Sequence, residues 1–257
     1  LNDRSKALNE VKHLCNEFGV IAEKMDDYEE RQNFNFITQI LHTNRYRHLK
    51  KIIEKISKSK KRIKVIDIGC GPAKTFSFIK QMGVDFVYLG IEPSEDLVDI
   101  ANNRYSQFDN FSIICDSVEN TYASFENVDL ILAMESFEHI REATVIRIIE
   151  NITKRKFKCM YITVPNEIGP AILIKNVGSY LMGWKRYREY KWRETLASAF
   201  YKLDKFERHG TRHKGFDWRW LAQNLRQNCK IKKITKSPLN LIPISFSPSI
   251  GFICESD

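Results

Sequence analysis

The chain has 257 residues, of which 43% are hydrophobic, and it carries a formal net charge of +9 at pH 7. This length is enough for a complete hydrophobic core. The sequence contains neither a signal-peptide pattern nor an apolar run of about 18 residues, so we expect no transmembrane segment. Its six cysteines include no Cys-x-x-Cys pair, which excludes the common zinc patterns and favours a reducing, cytoplasmic location.

The first 62 residues are predicted to form a helical cap, and residues 63–257 the core domain. Apolar side chains recur there at helical spacing, at Leu8, Val11, Leu14 and Phe18 and again at Phe34, Ile37, Ile40 and Leu41. We expect these helices to cover a binding crevice in the core.

Two segments are strongly basic. Residues 45–64 contain ten Lys or Arg and one acid, and residues 183–214 contain ten Lys or Arg and four acids. Such segments attract RNA, an anionic lipid surface or a phosphorylated substrate. The other interpretation is a solvated helix face, because Leu49, Ile52, Ile53 and Ile56 interleave the first segment at helical spacing.

Residues 65–73 predict a buried strand that runs into a glycine-rich turn. Asp67 lies in the strand, and Gly69 and Gly71 let the backbone approach a bound ligand closely. Apolar residues at helical spacing follow immediately, from Thr75 to Ile79. A strand, a glycine turn and a helix in this order are typical of a nucleotide-binding crevice.

Three further apolar runs each end in an acid. Residues 86–91 end at Glu92, residues 111–115 at Asp116, and residues 128–134 at Glu135. Glu92 lies 21 residues after Gly71, where a ribose-binding carboxylate is found in such folds. The ends of parallel strands meet at one edge, so these acids predict a site there.

The rest of the chain completes a mixed sheet. A fifth strand is predicted at residues 157–164, and residues 166–214 are too long for an ordinary connection, which predicts a substrate-side insertion. Within it, one helical face is interpreted as a lid packed on the core, with a membrane anchor as the alternative; that face consists of Leu173, Val177, Tyr180, Leu181 and Trp184. A helix at 218–225 and strands at 231–235 and 250–254 give a mostly parallel sheet with an antiparallel end.

On these residues the chain resembles the class I S-adenosylmethionine-dependent methyltransferases, over roughly residues 63–165. Residues 67–71 are similar to the motif that binds the methionine part of the cofactor, Glu92 to the acid that binds the ribose, and Asp116 to the turn that contacts adenine. Lys74 stands where a nicotinamide dehydrogenase has its last glycine, which argues against that class. The resemblance implies a Rossmann-like, doubly wound α/β fold with a seven-stranded sheet. It also implies these cofactor-binding residues: Asp67, Gly69, Cys70, Gly71, Glu92, Pro93, Asp116, Ser117, Val118 and Met134.

A second cluster of polar residues follows the fourth strand. If a helix begins there, Glu135, Glu138 and His139 share one face and can hold Mg²⁺ or Mn²⁺, with His209 or His213 as a further ligand. The alternative is that the two acids only favour a helix N-terminus, and that His139 is a buried histidine or a base that acts without metal.

This cluster is similar to that of two subfamilies, the ubiquinone-biosynthesis O-methyltransferases and the small-RNA 3′-terminal ribose 2′-O-methyltransferases. The resemblance implies His139, Glu138 and His213 as catalytic residues and Glu135, Glu138, His139 and His213 as metal ligands. The run typical of methyltransferases for exocyclic base amines, Asn/Asp-Pro-Pro-aromatic, is missing after the fourth strand.

We therefore interpret the chain as a methyltransferase that acts on a hydroxyl of a small molecule, a quinol or other aromatic precursor or a sugar, with S-adenosylhomocysteine as the product. The first alternative is an RNA ribose methyltransferase, supported by the basic segments and by aromatic residues that can stack on bases. The second is a cofactor-binding regulatory protein without turnover. Contact with a membrane surface and the oligomeric state stay open.

Overall fold

Seven strands form one sheet in the order β3-β2-β1-β4-β5-β7-β6 in the computed structural model, which describes residues 36–181, 190–205, 214–238 and 240–256. The side chains of residues 36–43, 179 and 181 are not part of this description. The strands are β1 (Arg62–Ile68), β2 (Asp85–Ile91), β3 (Phe111–Ile114), β4 (Val128–Met134), β5 (Phe157–Pro165), β6 (Lys230–Ser237) and β7 (Ser249–Glu255). Strands β1 to β5 are parallel, and β7 runs antiparallel to both β5 and β6.

Helices cover both faces of the sheet, which confirms the predicted doubly wound α/β fold. They are α1 (Phe36–Ser57), α2 (Lys74–Gln81), α3 (Glu95–Tyr105), α4 (Glu142–Thr153), α5 (Ala171–Leu181), α6 (Trp192–Ala199) and α7 (Trp218–Asn228). Strand β1 shows why two layers form: Ile66 and Ile68 belong to the core shared with α4 and α7, whereas Ile63 and Val65 belong to the core shared with α1 and α2. Successive side chains of a strand point to opposite faces, so a strand buried on both sides is apolar throughout.

Helix α1 packs directly on the sheet. Its side chains Leu49, Ile52, Ile53 and Ile56 are buried in the same cluster as β1 and α2, while Lys50 and Lys51 are exposed. The basic residues of this helix therefore form its solvated face. The predicted helix at residues 8–18 lies outside the described residues.

The predicted insertion contains α5 and α6. The lid interpretation is wrong for the three members of its apolar face that the structure describes, because Leu173, Val177 and Tyr180 are exposed rather than packed on the core. The inner sides of the two helices do pack, through the buried Ile172, Tyr190 and Ala199. Within the described ranges, no helix is both long and apolar enough to cross a membrane.

Candidate active site

The turn between β1 and α2 contains three residues with left-handed backbone. Gly69 has φ +64°, Gly71 has φ +54°, and Ala73, which precedes α2, has φ 56°. A Cβ at position 69 would also lie 2.6 Å from the Cβ of Ser136 at the end of β4. Glycine is therefore required at position 69 by conformation and by space.

Glu92 ties this turn to the end of β2. Its Oε2 accepts a hydrogen bond from the N–H of Gly71 (3.0 Å), and its Oε1 accepts one from the N–H of Ser94 (3.1 Å). The N–H of Glu92 donates to the carbonyl of Ile114 at the end of β3 (3.0 Å). The first three strands thus end side by side, as the sequence predicts, and Pro93 follows directly in the chain.

The residues after β3 form a short turn on the same edge. Asp116 Oδ1 accepts hydrogen bonds from the N–H of Ser117 (2.6 Å) and from Asn120 Nδ2 (2.8 Å). Val118 is buried and begins a turn of 3-10 helix. The adenine-contacting role of this turn stays a prediction.

A crevice opens at the carboxyl end of β1. Five residues that the sequence predicts for the cofactor line it, namely Asp67, Gly69, Cys70, Gly71 and Met134. The crevice is also lined by residues that sequence reasoning did not assign to it, including Arg45 and Tyr46 of α1, Thr75 of α2 and Leu97 of α3. The only signal for the α1 residues was the prediction that N-terminal helices cover the crevice.

Asp67 lies at the floor of this crevice. Its Oδ2 accepts a hydrogen bond from the Tyr88 hydroxyl at 2.8 Å. Burial raises the pKa of Asp67 to about 6, against the opposing effect of that hydrogen bond. Burial also raises the pKa of the Cys70 thiol well above its ordinary value, so Cys70 is a neutral thiol rather than a nucleophile at neutral pH.

The segment after β4 differs from the predicted helix. Glu135 has φ 57°, only a 3-10 turn follows at Phe137–His139, and α4 begins three residues later. The prediction that three side chains share one helical face is therefore wrong. The Glu138 side chain is fully buried, whereas that of His139 is 50% exposed, with its Nε2 atom 4.0 Å from Glu138 Oε1.

Glu135 and Glu138 lie in one electrostatic cluster at this edge. Glu135 Oε1 accepts a hydrogen bond from Ser249 Oγ of β7 (3.0 Å) and lies 3.9 Å from a terminal nitrogen of Arg45. Burial raises the pKa of Glu138 well above its ordinary value, and the Glu135 carboxylate raises it further. The positive charges of Arg45 and Lys175 act in the opposite direction.

The predicted metal site is not formed by the part of the chain that the structure describes, where no three His, Cys, Asp or Glu side chains are grouped to hold an ion. His209 and His213 lie outside the described residues, so the set of Glu135, Glu138, His139 and His213 stays a prediction. The cation next to Glu135 is a guanidinium, which lies where a metal ion would need that carboxylate.

A further buried acid at this edge was not predicted. Glu167, which follows β5, is fully buried and accepts hydrogen bonds from Lys175 Nζ (2.7 Å) and from the Tyr190 hydroxyl (3.3 Å). Tyr190 accepts one from the N–H of Gly215 (2.8 Å). This network fixes the start of α5 and the segment before α7 beside the cluster of Glu135 and Glu138. It is built from distant residues, so sequence spacing gave no sign of it.

The strand order, the glycine turn after β1 and the acid after β2 together define an S-adenosylmethionine-dependent methyltransferase of class I. A family model described as "Methyltransferase domain" matches residues 41–225, and the chain belongs to this family. Its cofactor is S-adenosylmethionine. A search among curated proteins gave no significant match.

Solved structures with the same fold cover most of the chain. The methyltransferase domain of bacterial CtHen1 is 15% identical, with a TM-score of 0.54 over 84% of this chain and 99% of its own. The plantazolicin methyltransferase BpumL, in complex with S-adenosylhomocysteine and a substrate analogue, is 15% identical, with a TM-score of 0.54 over 98% and 100%. The magnesium protoporphyrin IX methyltransferase of Synechocystis PCC 6803 is 12% identical, with a TM-score of 0.52 over 87% and 88%. At these identities the likeness shows the fold alone.

Proposed function

We propose that the protein transfers the methyl group of S-adenosylmethionine to a hydroxyl of a small molecule, a quinol or other aromatic precursor or a sugar. The observation that carries this proposal is the buried carboxyl group of Glu138, which lies beyond the end of β4, the strand whose last residue, Met134, lines the crevice. The sequence after β4 also lacks the run typical of methylation on exocyclic base amines.

When bound, the cofactor supplies a methyl group on a positively charged sulfur and leaves as S-adenosylhomocysteine. The residues of the chain must orient the acceptor oxygen in line with that methyl group and remove its proton. A phenolic hydroxyl has a pKa near 10, so a carboxyl with a raised pKa is a stronger base towards it than an ordinary one. In the proposed reaction a carbon–oxygen bond forms as the carbon–sulfur bond breaks, and Glu138 takes the proton.

His139 is placed to carry that proton outward. Its imidazole is half exposed and lies 4.0 Å from Glu138 Oε1, and histidine is the side chain that most readily exchanges protons near neutral pH. Lys175 and Arg45, whose charges act on Glu138, favour the ionised form that a base requires. The metal-dependent RNA reaction is an outcome that the experiment below distinguishes.

The cofactor is proposed to lie along the glycine turn, with Glu92 at the ribose and Asp116 at the adenine. We add Arg45 as the group that binds the carboxylate of its methionine part. The Arg45 side chain is 17% exposed, lines the crevice beside Gly69 and Gly71, and carries an Nε atom that has no hydrogen-bond partner among the described residues. A guanidinium matches a carboxylate in charge and in geometry.

Transfer of labelled methyl from S-adenosylmethionine into an extract of host cells tests the acceptor class. Label in the organic phase, or in small water-soluble material, supports the proposal. Label in acid-precipitable, nuclease-sensitive material would replace it with the RNA reading. If the protein binds S-adenosylhomocysteine but transfers no label, the regulatory interpretation is preferred.

The variant Glu138→Gln tests the base itself. It keeps the size and removes the proton acceptor, so the transfer rate is expected to fall about 10²- to 10⁴-fold while affinity for S-adenosylhomocysteine stays within about twofold. The matched variant His139→Gln, on the exposed neighbour, is expected to lower the rate less. A larger loss in His139→Gln than in Glu138→Gln would make the imidazole the base.

A further inference from the structure

Exposed apolar side chains are concentrated on one part of the surface. Of the ten large apolar side chains that are exposed among the described residues, eight lie between positions 173 and 201. We define the apolar patch by the six most exposed of them, Ile174, Val177 and Tyr180 on α5 and Trp192, Leu196 and Phe200 on and just after α6. Soluble surfaces rarely gather such residues without an interaction partner.

The two helices that carry the apolar patch are held in place. Asn176 Nδ2 of α5 donates to Thr195 Oγ1 of α6 (3.1 Å), and the N–H of Gly169 donates to the carbonyl of Ser198 (2.8 Å). Ile172 and Ala199 are buried on the inner sides of the same helices. The outward apolar residues are thus a fixed surface and not the result of loose packing.

Positive charge surrounds the apolar patch. Lys191, Arg193, Lys202 and Lys205 are exposed there, and Asp204 is the exposed acid among residues 191–205 of this region. The Arg193 guanidinium lies 5.3 Å from the ring centroid of Trp192. Aromatic and aliphatic side chains flanked by lysine and arginine are the composition that binds anionic lipid surfaces.

We propose that the apolar patch docks the protein on an anionic lipid surface, with the apolar side chains at the level of the headgroups and the four cations against lipid phosphates. RNA suits this surface less well, because Ile174, Val177 and Leu196 are aliphatic and cannot stack on bases. A second copy of the chain also suits it less well, because a two-fold interface would bring these cations close to their own copies. The proposal does not depend on the identity of the methyl acceptor.

Co-sedimentation with vesicles tests the proposal. The full chain is expected to bind vesicles of phosphatidylcholine with 30% phosphatidylglycerol about tenfold or more tightly than pure phosphatidylcholine, with the affinity falling as salt rises. In the double variant Val177→Ser, Phe200→Ser the binding is expected to fall about tenfold or more, because two apolar side chains no longer leave water. Both positions are exposed, so the fold is retained, which a thermal melt checks.

Leu241→Ser is the matched control, because Leu241 is an apolar side chain that is 94% exposed outside the apolar patch; its vesicle binding is expected to equal that of the parent. Failure of the parent to bind anionic vesicles would overturn the proposal. Equal loss in the control and in the double variant would do the same, as would retention of the chain by RNA with no retention by vesicles.

Discussion

Replacing Arg45 by methionine gives a direct view of the cofactor crevice. Methionine keeps the length and apolar character of the stem and removes the guanidinium. Because the side chain is only 17% exposed, a bond from it to a ligand carboxylate is shielded from water. Loss of such a charge-assisted hydrogen bond costs about 1.5–3 kcal/mol, which corresponds to roughly a 10- to 150-fold weaker dissociation constant for S-adenosylhomocysteine.

The assay is calorimetric titration with two ligands. S-Adenosylhomocysteine has the carboxylate, whereas methylthioadenosine has the same nucleoside and sulfur without it. We expect Arg45→Met to weaken the first ligand by the stated factor and the second by less than about twofold. Lys51→Met is the control, since it removes the same charge from the exposed side of the same helix.

Equal weakening of the two ligands would refute the reasoning, because it would mean that Arg45 supports the crevice through Glu135 rather than contacting a carboxylate. An unchanged affinity for S-adenosylhomocysteine would remove Arg45 from the site altogether.

Three further predictions concern the site. In Glu138→Gln the difference in melting temperature from the parent should grow in favour of the variant as pH rises, because a carboxyl with a raised folded-state pKa contributes stability at low pH that is lost as pH passes that pKa; differential calorimetry across pH measures it, and a constant difference would count against the assigned direction. The Asp67 carboxyl, with a pKa of about 6, should likewise cost about 3 kcal/mol of stability above pH 6 relative to pH 3, and Asp67→Asn should abolish that dependence in urea titrations. Gly69→Ala should lower the melting temperature more than Gly83→Ala, because both residues have positive φ but only the Cβ at position 69 would meet a neighbour within 4 Å; equal losses would show that conformation alone decides.

The strands and the glycine turn could be predicted because their causes are local. A parallel strand buried on both faces is an uninterrupted apolar run, and the turn at Gly69 needs a residue without Cβ. The acid at Glu92 followed from spacing along the chain. These signals located the cofactor crevice correctly at the level of strand ends.

The acceptor side could not be predicted in the same way. The direction of the Glu138 side chain depends on the left-handed conformation of Glu135, which a non-glycine residue adopts only where its surroundings impose it. Arg45 is brought to the crevice by the packing of α1, 22 residues before Asp67. The apolar face of α5 was predicted to be buried because periodicity shows that a helix has an apolar side, and does not show what that side meets.

The position of β7 in the sheet orders the events of folding. In the described sheet β6 pairs only with β7, and β7 lies between it and β5, so the strand that comes earlier in the chain must wait for the later one before it gains a partner. The same late strand carries Ser249, whose hydroxyl holds Glu135. A nascent chain therefore completes its cofactor turn well before its acceptor edge, and an intermediate that binds S-adenosylhomocysteine but cannot turn over is the natural kinetic species to seek during refolding.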